Sequence, residues 1–189
     1  MNPKSPGQEH FYAEKSCALA SILFPSEEWI HKETNIWVAK SRLSEEYREP
    51  DKWEREMSQV RILTGRGSAA YFLPERRIQE ESGKRCADLI LNGEIMEMKT
   101  TSGTRVTLGG EFRLAYKQGR VLLEGHQDIK SHSVFIRLLS ELSIGSVKAK
   151  IAGELKNRSG QGSFICFFEH LGELHEWTYE ELRTIIGRK

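Results

Sequence analysis

Apolar positions recur at helical spacing in FYAEKSCALASILF and stop at Pro25, which predicts a helix over about residues 10–24. Ser26 ahead of Glu27 and Glu28 suits the start of a second helix, and residues 27–50 are read as helical though irregular. Pro50 should end whatever precedes it, so a boundary is placed there. Asp51 then suits an N-cap, with Glu54 three residues on completing a capping box. Trp53, Met57, Val60 and Leu63 at helical spacing predict a helix over 52–64, ended near Gly65 and Gly67. AAYFLP reads as a strand closed by Pro74 and is followed by a polar interval, ERRIQEESGK. Two β-compatible runs, 85–91 and 94–100, flank Asn92-Gly93, the preferred pair for a two-residue type I′ hairpin turn. A Gly-rich patch (Gly103, Gly109, Gly110) leads to a helix over about 110–118, then VLLEG predicts a strand at 120–124. Residues 131–143 and 146–156 read as helices, 163–168 and 173–179 as a strand pair, and TYEELRTII as a closing helix capped by Thr178. Trp29, Trp37 and Trp53 fall at helical positions and are assigned to the core rather than to base stacking.

The 189 residues, 38% hydrophobic and 29% charged, describe an ordinary globular chain able to bury one core. No run approaches the roughly 18 apolar residues of a membrane span, and MNPKSPGQEH lacks the apolar stretch of a secretory signal, so no membrane partner is expected. Three widely spaced cysteines (Cys17, Cys86, Cys166) suit reduced thiols, which points to a cytoplasmic location. The formal net charge is only +1, yet residues 100–160 hold 10 basic and 5 acidic side chains while residues 1–60 hold 8 and 11. The stretch after position 99 is therefore electropositive; a solvated helix face is the plain alternative to an anion-binding role.

The hairpin carries the sharpest chemistry. With Asn92 and Gly93 as turn residues, paired positions sum to 185, which sets Asp88 opposite Glu97. Side chains alternate faces, so Asp88, Ile90, Ile95, Glu97 and Lys99 share one side and Leu89, Leu91, Met96 and Met98 the other. Opposed residues have Cβ atoms about 4.5–5.5 Å apart, and two carboxylates that close repel unless a cation lies between them. A hard divalent cation held by Asp88 and Glu97 would polarise a phosphoryl oxygen and acidify a bound water, with the Lys99 ammonium orienting that water or meeting developing charge. The competing reading is a solvent-facing ribbon with ordinary charged decoration.

ADLILNGEIMEMKT resembles the catalytic hairpin of the PD-(D/E)xK nuclease superfamily, the restriction-endonuclease-like fold. FLPE, a polar gap, ADLILNGEIMEMKTTSG and LAYKQGRVLLEG together are similar to the C-terminal tRNA-nuclease domain of contact-dependent growth inhibition toxins. The likeness covers roughly residues 52–125. It implies Asp88 and Glu97 as metal ligands, Lys99 as the catalytic lysine, and an acidic residue on the first core helix as a further ligand. Glu56 is the choice there, since Glu56, Val60, Leu63 and Gly67 form one helical stripe, with Glu54 the competitor. Gln118 matches a glutamine that many members place just before the next strand and is added to the catalytic set. Ala87 stands where the motif's proline would be. Some members of the fold are inactive, so fold alone does not establish activity.

Arg105, Arg113, Lys117 and Arg120 follow the hairpin and suit phosphate contacts flanking a scissile bond. Thr100, Thr101 and Ser102 stand near Lys99 as hydrogen-bond donors or as simple strand-end turn residues. Cys166, His170 and His175 lack a fourth ligand at zinc-site spacing, and His126 and His132 are read as ordinary histidines. The expectation is an α/β, restriction-endonuclease-like domain over 51–189, a mixed central sheet flanked by helices, after a helical N-terminal extension over 1–50. Its expected activity is metal-dependent endonucleolysis with Mg2+ (or Mn2+), RNA (tRNA) ahead of DNA. A toxin role would add a cognate immunity protein as partner and delivery into a target cell. The alternatives are a non-catalytic nucleic-acid-binding or phage/mobile-element structural protein keeping the fold, and a DNA junction or repair nuclease.

Overall fold

A computed structural model of the chain describes residues 6–123, 132–156 and 164–186. The described residues form a mixed α/β structure of eight strands and seven α-helices. The chain divides into two compact units, residues 1–95 and 96–189.

In the first unit, helix α1 (Pro6–Leu23) precedes an antiparallel hairpin, β1 (Trp29–Glu33) and β2 (Ile36–Ala39). The expected helical stretch over 27–50 is thus corrected: most of it is a hairpin, a 3-10 turn (Lys40–Arg42) and one short helix, α2 (Glu45–Arg48). The turn signal is Asn35, whose φ of 59° is the left-handed conformation asparagine tolerates. Glu27 and Glu28 do not begin a helix. The Glu27 carboxylate accepts from the Ser41 amide and hydroxyl, and Glu28 pairs with Lys40 at 2.7 Å. Trp29 and Trp37 accordingly sit on strands, where Trp37 stacks on Tyr71 with ring centres 4.8 Å apart.

Helix α3 (Pro50–Thr64) starts at Pro50, with Glu49 in the capping position. Proline suits the first helical turn because the amide it lacks would be unpaired there; Asp51 is therefore inside the helix and not its cap. Strand β3 (Ala70–Phe72) runs parallel to β2, with Trp37 paired to Tyr71. Strand pairing thus runs across residue 50, and the helical extension expected for residues 1–50 is corrected to a segment that supplies two strands. The polar interval after Pro74 is helix α4 (Glu75–Ser82), closed by Gly83 at φ 67°. Strand β4 (Leu89–Leu91), shorter than expected, pairs antiparallel with β3. Asn92 and Gly93 have φ of 55° and 81°, the sign both central residues need in a type I′ turn, so the bend falls where the sequence places it.

Strand β5 (Glu94–Thr101) begins in the first unit and runs on into the second. Helix α5 (Arg105–Gly119) starts five residues before the expected position because the Thr104 side chain caps it, accepting from the Thr107 amide. The strand expected at 120–124 is instead a 3-10 turn over Val121–Leu123, with residue 124 outside the described residues. The helix expected at 131–143 is strand β6 (His132–Leu138), whose VFI run is β-branched and aromatic. Helix α6 (Ile144–Leu155) then leads to β7 (Phe164–His170), parallel to β6, and β8 (Glu173–Thr178), antiparallel to β7. Helix α7 (Tyr179–Ile186) opens with a capping box in which Thr178 Oγ1 accepts from the Glu181 amide and Glu181 accepts from the Thr178 amide. Phe112, Val134, Ile136, Ile151, Phe168 and Trp177 belong to this unit's apolar core. No described helix is long and apolar enough to cross a membrane.

Candidate active site

The site residues expected from the sequence fall in both units, Glu56 and Asp88 in the first and Glu97, Lys99 and Gln118 in the second. In the first, α3 turns Glu56 inward beside Trp53, Met57 and Val60, while Glu54 faces solvent and pairs with Arg61 at 2.6 Å. Of the two candidates on this helix, Glu56 is the buried one, at 9% exposure, and Asp88, the residue just before β4, is 6% exposed. Carboxylates are seldom buried to this extent unless a cation or a hydrogen-bond set compensates them.

For Glu56 the compensating cation is Arg42, a residue the sequence reading passed over. Its side chain is fully buried. Nη2 donates to Glu56 Oε2 at 2.7 Å, and Nε donates to Glu45 Oε2 at 3.1 Å. Nη1 donates to two main-chain carbonyls, those of Asp88 at 2.8 Å and Leu73 at 3.1 Å. Glu75 Oε2 lies 3.5 Å from Nη2, and the guanidinium stands 5.1 Å from the centre of the Phe72 ring. Lys52 adds a second cation, 3.8 Å from Glu56 and 3.3 Å from Glu75. Burial alone would lower the Arg42 pKa, but Glu56, Glu45, Glu75 and Asp88 outweigh it and hold the guanidinium protonated. Burial pushes the Glu56 carboxyl up to about 7; Arg42 pulls against that rise and the Asp88 charge adds to it. The only local signal for Arg42 is its i,i+3 spacing to Glu45; its other partners lie 14, 31, 33 and 46 residues away.

The turn at the far end of β4 is also pinned. Asn92 Oδ1 accepts from the Ala69 amide at 3.0 Å, and the Gly93 amide donates to Ser16 Oγ on α1 at 2.8 Å.

In the second unit, Glu97 is 1% exposed and in contact with the Lys99 ammonium two residues along the strand. Met96 and Met98 are buried as well, so this part of β5 is covered on both faces and is no solvent-facing ribbon. Thr101 Oγ1 accepts from the Gly103 amide at 3.4 Å, the strand-end role, while the buried Thr100 Oγ1 has no hydrogen-bond partner among the described residues. Gln118 is 5% exposed, and its side-chain oxygen has no hydrogen-bond partner among the described residues. Arg105, Arg113, Lys117 and Arg120 are exposed. Arg113, Lys117 and Arg120 follow i, i+4, i+7 spacing on one side of α5, away from the buried Gln118. Arg113 is engaged by Glu154 of α6 at 2.9 Å.

His132 at the start of β6 is buried, and burial followed by the Arg120 charge pushes its pKa down to about 4. A side chain at Gly119 would bring a Cβ within 2.8 Å of the His132 ring, so the end of α5 needs glycine to lie this close. His126 lies outside the described residues. Cys166 and His170 are buried along β7, and His175 stands opposite Phe168 on β8. Among the described residues no three His, Cys, Asp or Glu side chains are grouped to hold a metal ion.

Carboxylate oxygens such as those of Asp88, Glu56 and Glu97, each buried within its own unit, are the donor type Mg2+ prefers. Mg2+ is ordinarily held by one or two carboxylates plus waters and substrate phosphates. Glu56 is already taken up by Arg42. Compared with known proteins, the chain matches no protein-family model, no curated protein and no solved structure.

Proposed function

We propose that the chain is a metal-dependent endonuclease of restriction-endonuclease-like fold that hydrolyses phosphodiester bonds, RNA (tRNA) ahead of DNA. The observation that carries this reading is the burial of its three carboxylates: Asp88, Glu56 and Glu97 are each less than a tenth exposed. The positive φ values of Asn92 and Gly93, 55° and 81°, support it too, since they put the tight bend where the motif expects one. Asp88 and Glu97 would hold the metal, with Glu56 as an outer acidic group. The metal, when bound, supplies a Lewis acid for a phosphoryl oxygen and lowers the pKa of water. Lys99 holds its ammonium beside Glu97; in this reading it would orient the attacking water or meet charge developing on phosphate. Gln118 offers a side-chain oxygen to a water or ribose donor. Arg105, Lys117 and Arg120 would grip flanking phosphates without reading sequence, giving salt-sensitive affinity.

The Arg42–Glu56 ion pair favours a second reading, a nucleic-acid-binding protein that keeps the fold without cleavage, because an internal cation there already neutralises Glu56. Incubation with total tRNA and with plasmid DNA, in Mg2+, in Mn2+ and in chelator, separates the two. Metal-dependent cleavage that falls by at least about 100-fold in both Asp88→Ala and Lys99→Ala supports the nuclease. Binding with no cleavage of either substrate supports the second reading, and cutting confined to branched DNA would make the substrate a repair intermediate.

A further inference from the structure

Residues 1–50 lie outside the stretch that resembles a nuclease, yet they hold β4 at both ends. At the turn, Ser16 of α1 accepts from the Gly93 amide at 2.8 Å and reaches the Ala69 carbonyl at 3.4 Å. At the other end, the one Arg42 guanidinium binds the Asp88 carbonyl, the Leu73 carbonyl, Glu45 and Glu56. We infer that Arg42 is a positioning residue of the proposed nuclease site, fixing the Glu56 carboxylate and the main chain at Asp88 in one relation.

The inference rests on the nuclease reading and adds to it a residue that touches neither substrate nor metal. Its physical basis is the shape of the group. A guanidinium is planar and presents its donors in fixed directions, so the carbonyl of Asp88 and the carboxylate of Glu56 are tied to the same rigid plane. An ammonium in the same place would supply charge without that geometry. The guanidinium is itself held: Glu45 takes Nε, the Phe72 ring lies beneath it, and the 3-10 turn over Lys40–Arg42 delivers it directly from β2. A charge buried this fully with four named acceptors has little freedom to move, so the two site elements it bridges inherit its rigidity.

The test uses the full chain and two readouts: Mn2+ binding by titration calorimetry, and cleavage of tRNA and plasmid across a range of Mg2+ concentrations. Arg42→Lys keeps the charge and removes the fork. The expected result is a thermally folded variant whose Mn2+ Kd and half-saturating Mg2+ both rise by about 10-fold or more, the size typical when a group behind a metal ligand is lost. Should Arg42→Lys fail to fold, Glu45→Gln leaves Arg42 in place while loosening one of its holds, and a smaller shift of the same sign is expected. A purely structural role would lower the melting temperature and leave the metal midpoints of the folded protein unchanged. Folded variants with wild-type metal midpoints and cleavage overturn the inference while the nuclease reading stands. A wild-type chain that binds Mn2+ but cuts nothing overturns the nuclease reading alone, and the shift in Mn2+ Kd then decides for or against positioning. A wild-type chain that neither binds Mn2+ nor cleaves removes both.

Discussion

Each unit contains the same local device, a parallel strand pair bridged by a helix with an antiparallel strand added: β2–α3–β3 with β4, and β6–α6–β7 with β8. The bridging helices differ in what they bury. Helix α6 turns Val147, Ile151, Ala152 and Leu155 inward, all apolar. Helix α3 buries Glu56 and Gln59 among Trp53, Met57, Val60 and Leu63. An apolar stripe is enough to dock a helix on a sheet, so a carboxylate in that stripe carries a desolvation cost that packing alone would not select. The first unit offsets this cost with Arg42, and the contrast with α6 is what marks Glu56 as more than a packing residue.

The largest effect expected from this contrast is that of Arg42→Met. Removing the guanidinium leaves Glu45, Glu56 and Glu75 without their central cation, and a loss of about 3–5 kcal/mol is expected in urea unfolding. Ile151→Ala in α6 is expected to cost about 2–5 kcal/mol through a cavity, so its loss should be independent of pH. The loss in Arg42→Met should shrink as acid neutralises the abandoned carboxylates. Equal pH dependence in the two variants would erase the distinction between the helices.

An intermediate effect is the pH response, which should have opposite sign in the two units. Glu56 is raised from 4.5 to about 7 in the fold, so between those values the folded chain holds a proton that the unfolded chain has released. Its contribution is present below about 4.5 and is lost as pH rises toward 7. His132 is lowered from 6.5 to about 4, so the unfolded chain binds the extra proton, and stability is lost as pH falls from 6.5 to 4. Urea unfolding from pH 4 to 8 checks this: relative to wild type, Glu56→Gln should gain stability as pH rises, and His132→Asn should lose it. A common slope in both variants would contradict the assignment.

The smallest expected effect sharpens the choice between two acids on α3. Glu54 is exposed and paired with an exposed Arg61, so Glu54→Gln should change stability by less than about 1 kcal/mol and leave metal-dependent cleavage unaltered. A loss of cleavage in Glu54→Gln with none in Glu56→Gln would reverse their roles.

How much of this was legible in the chain depends on the range of the determining contact. Asn92-Gly93 placed its turn correctly because both residues tolerate positive φ, a property of the residues themselves. Thr178 and Glu181 are three residues apart, and their reciprocal cap was equally readable. The stretches 29–39 and 132–138 fit a helical period as well as a strand one, as short apolar runs do, and strand pairing settles them: β2 against β3 across thirty-odd residues, and β6 against β7. Helix α4 was missed because ERRIQEES has one large apolar residue, Ile78, and depends on Pro74 before it and Gly83 after it.

The sequence by itself determined the bend at 92–93, the inward stripe of α3 that includes Glu56, the capped closing helix and the late hairpin, all from interactions within a few residues. Only the tertiary structure decided that residues 29–39 form a strand hairpin and that Arg42 is buried against Glu56 and the Asp88 carbonyl. Apart from Glu45, the acceptors that hold this buried guanidinium lie 14 to 46 residues away, and no window of neighbouring residues contains them.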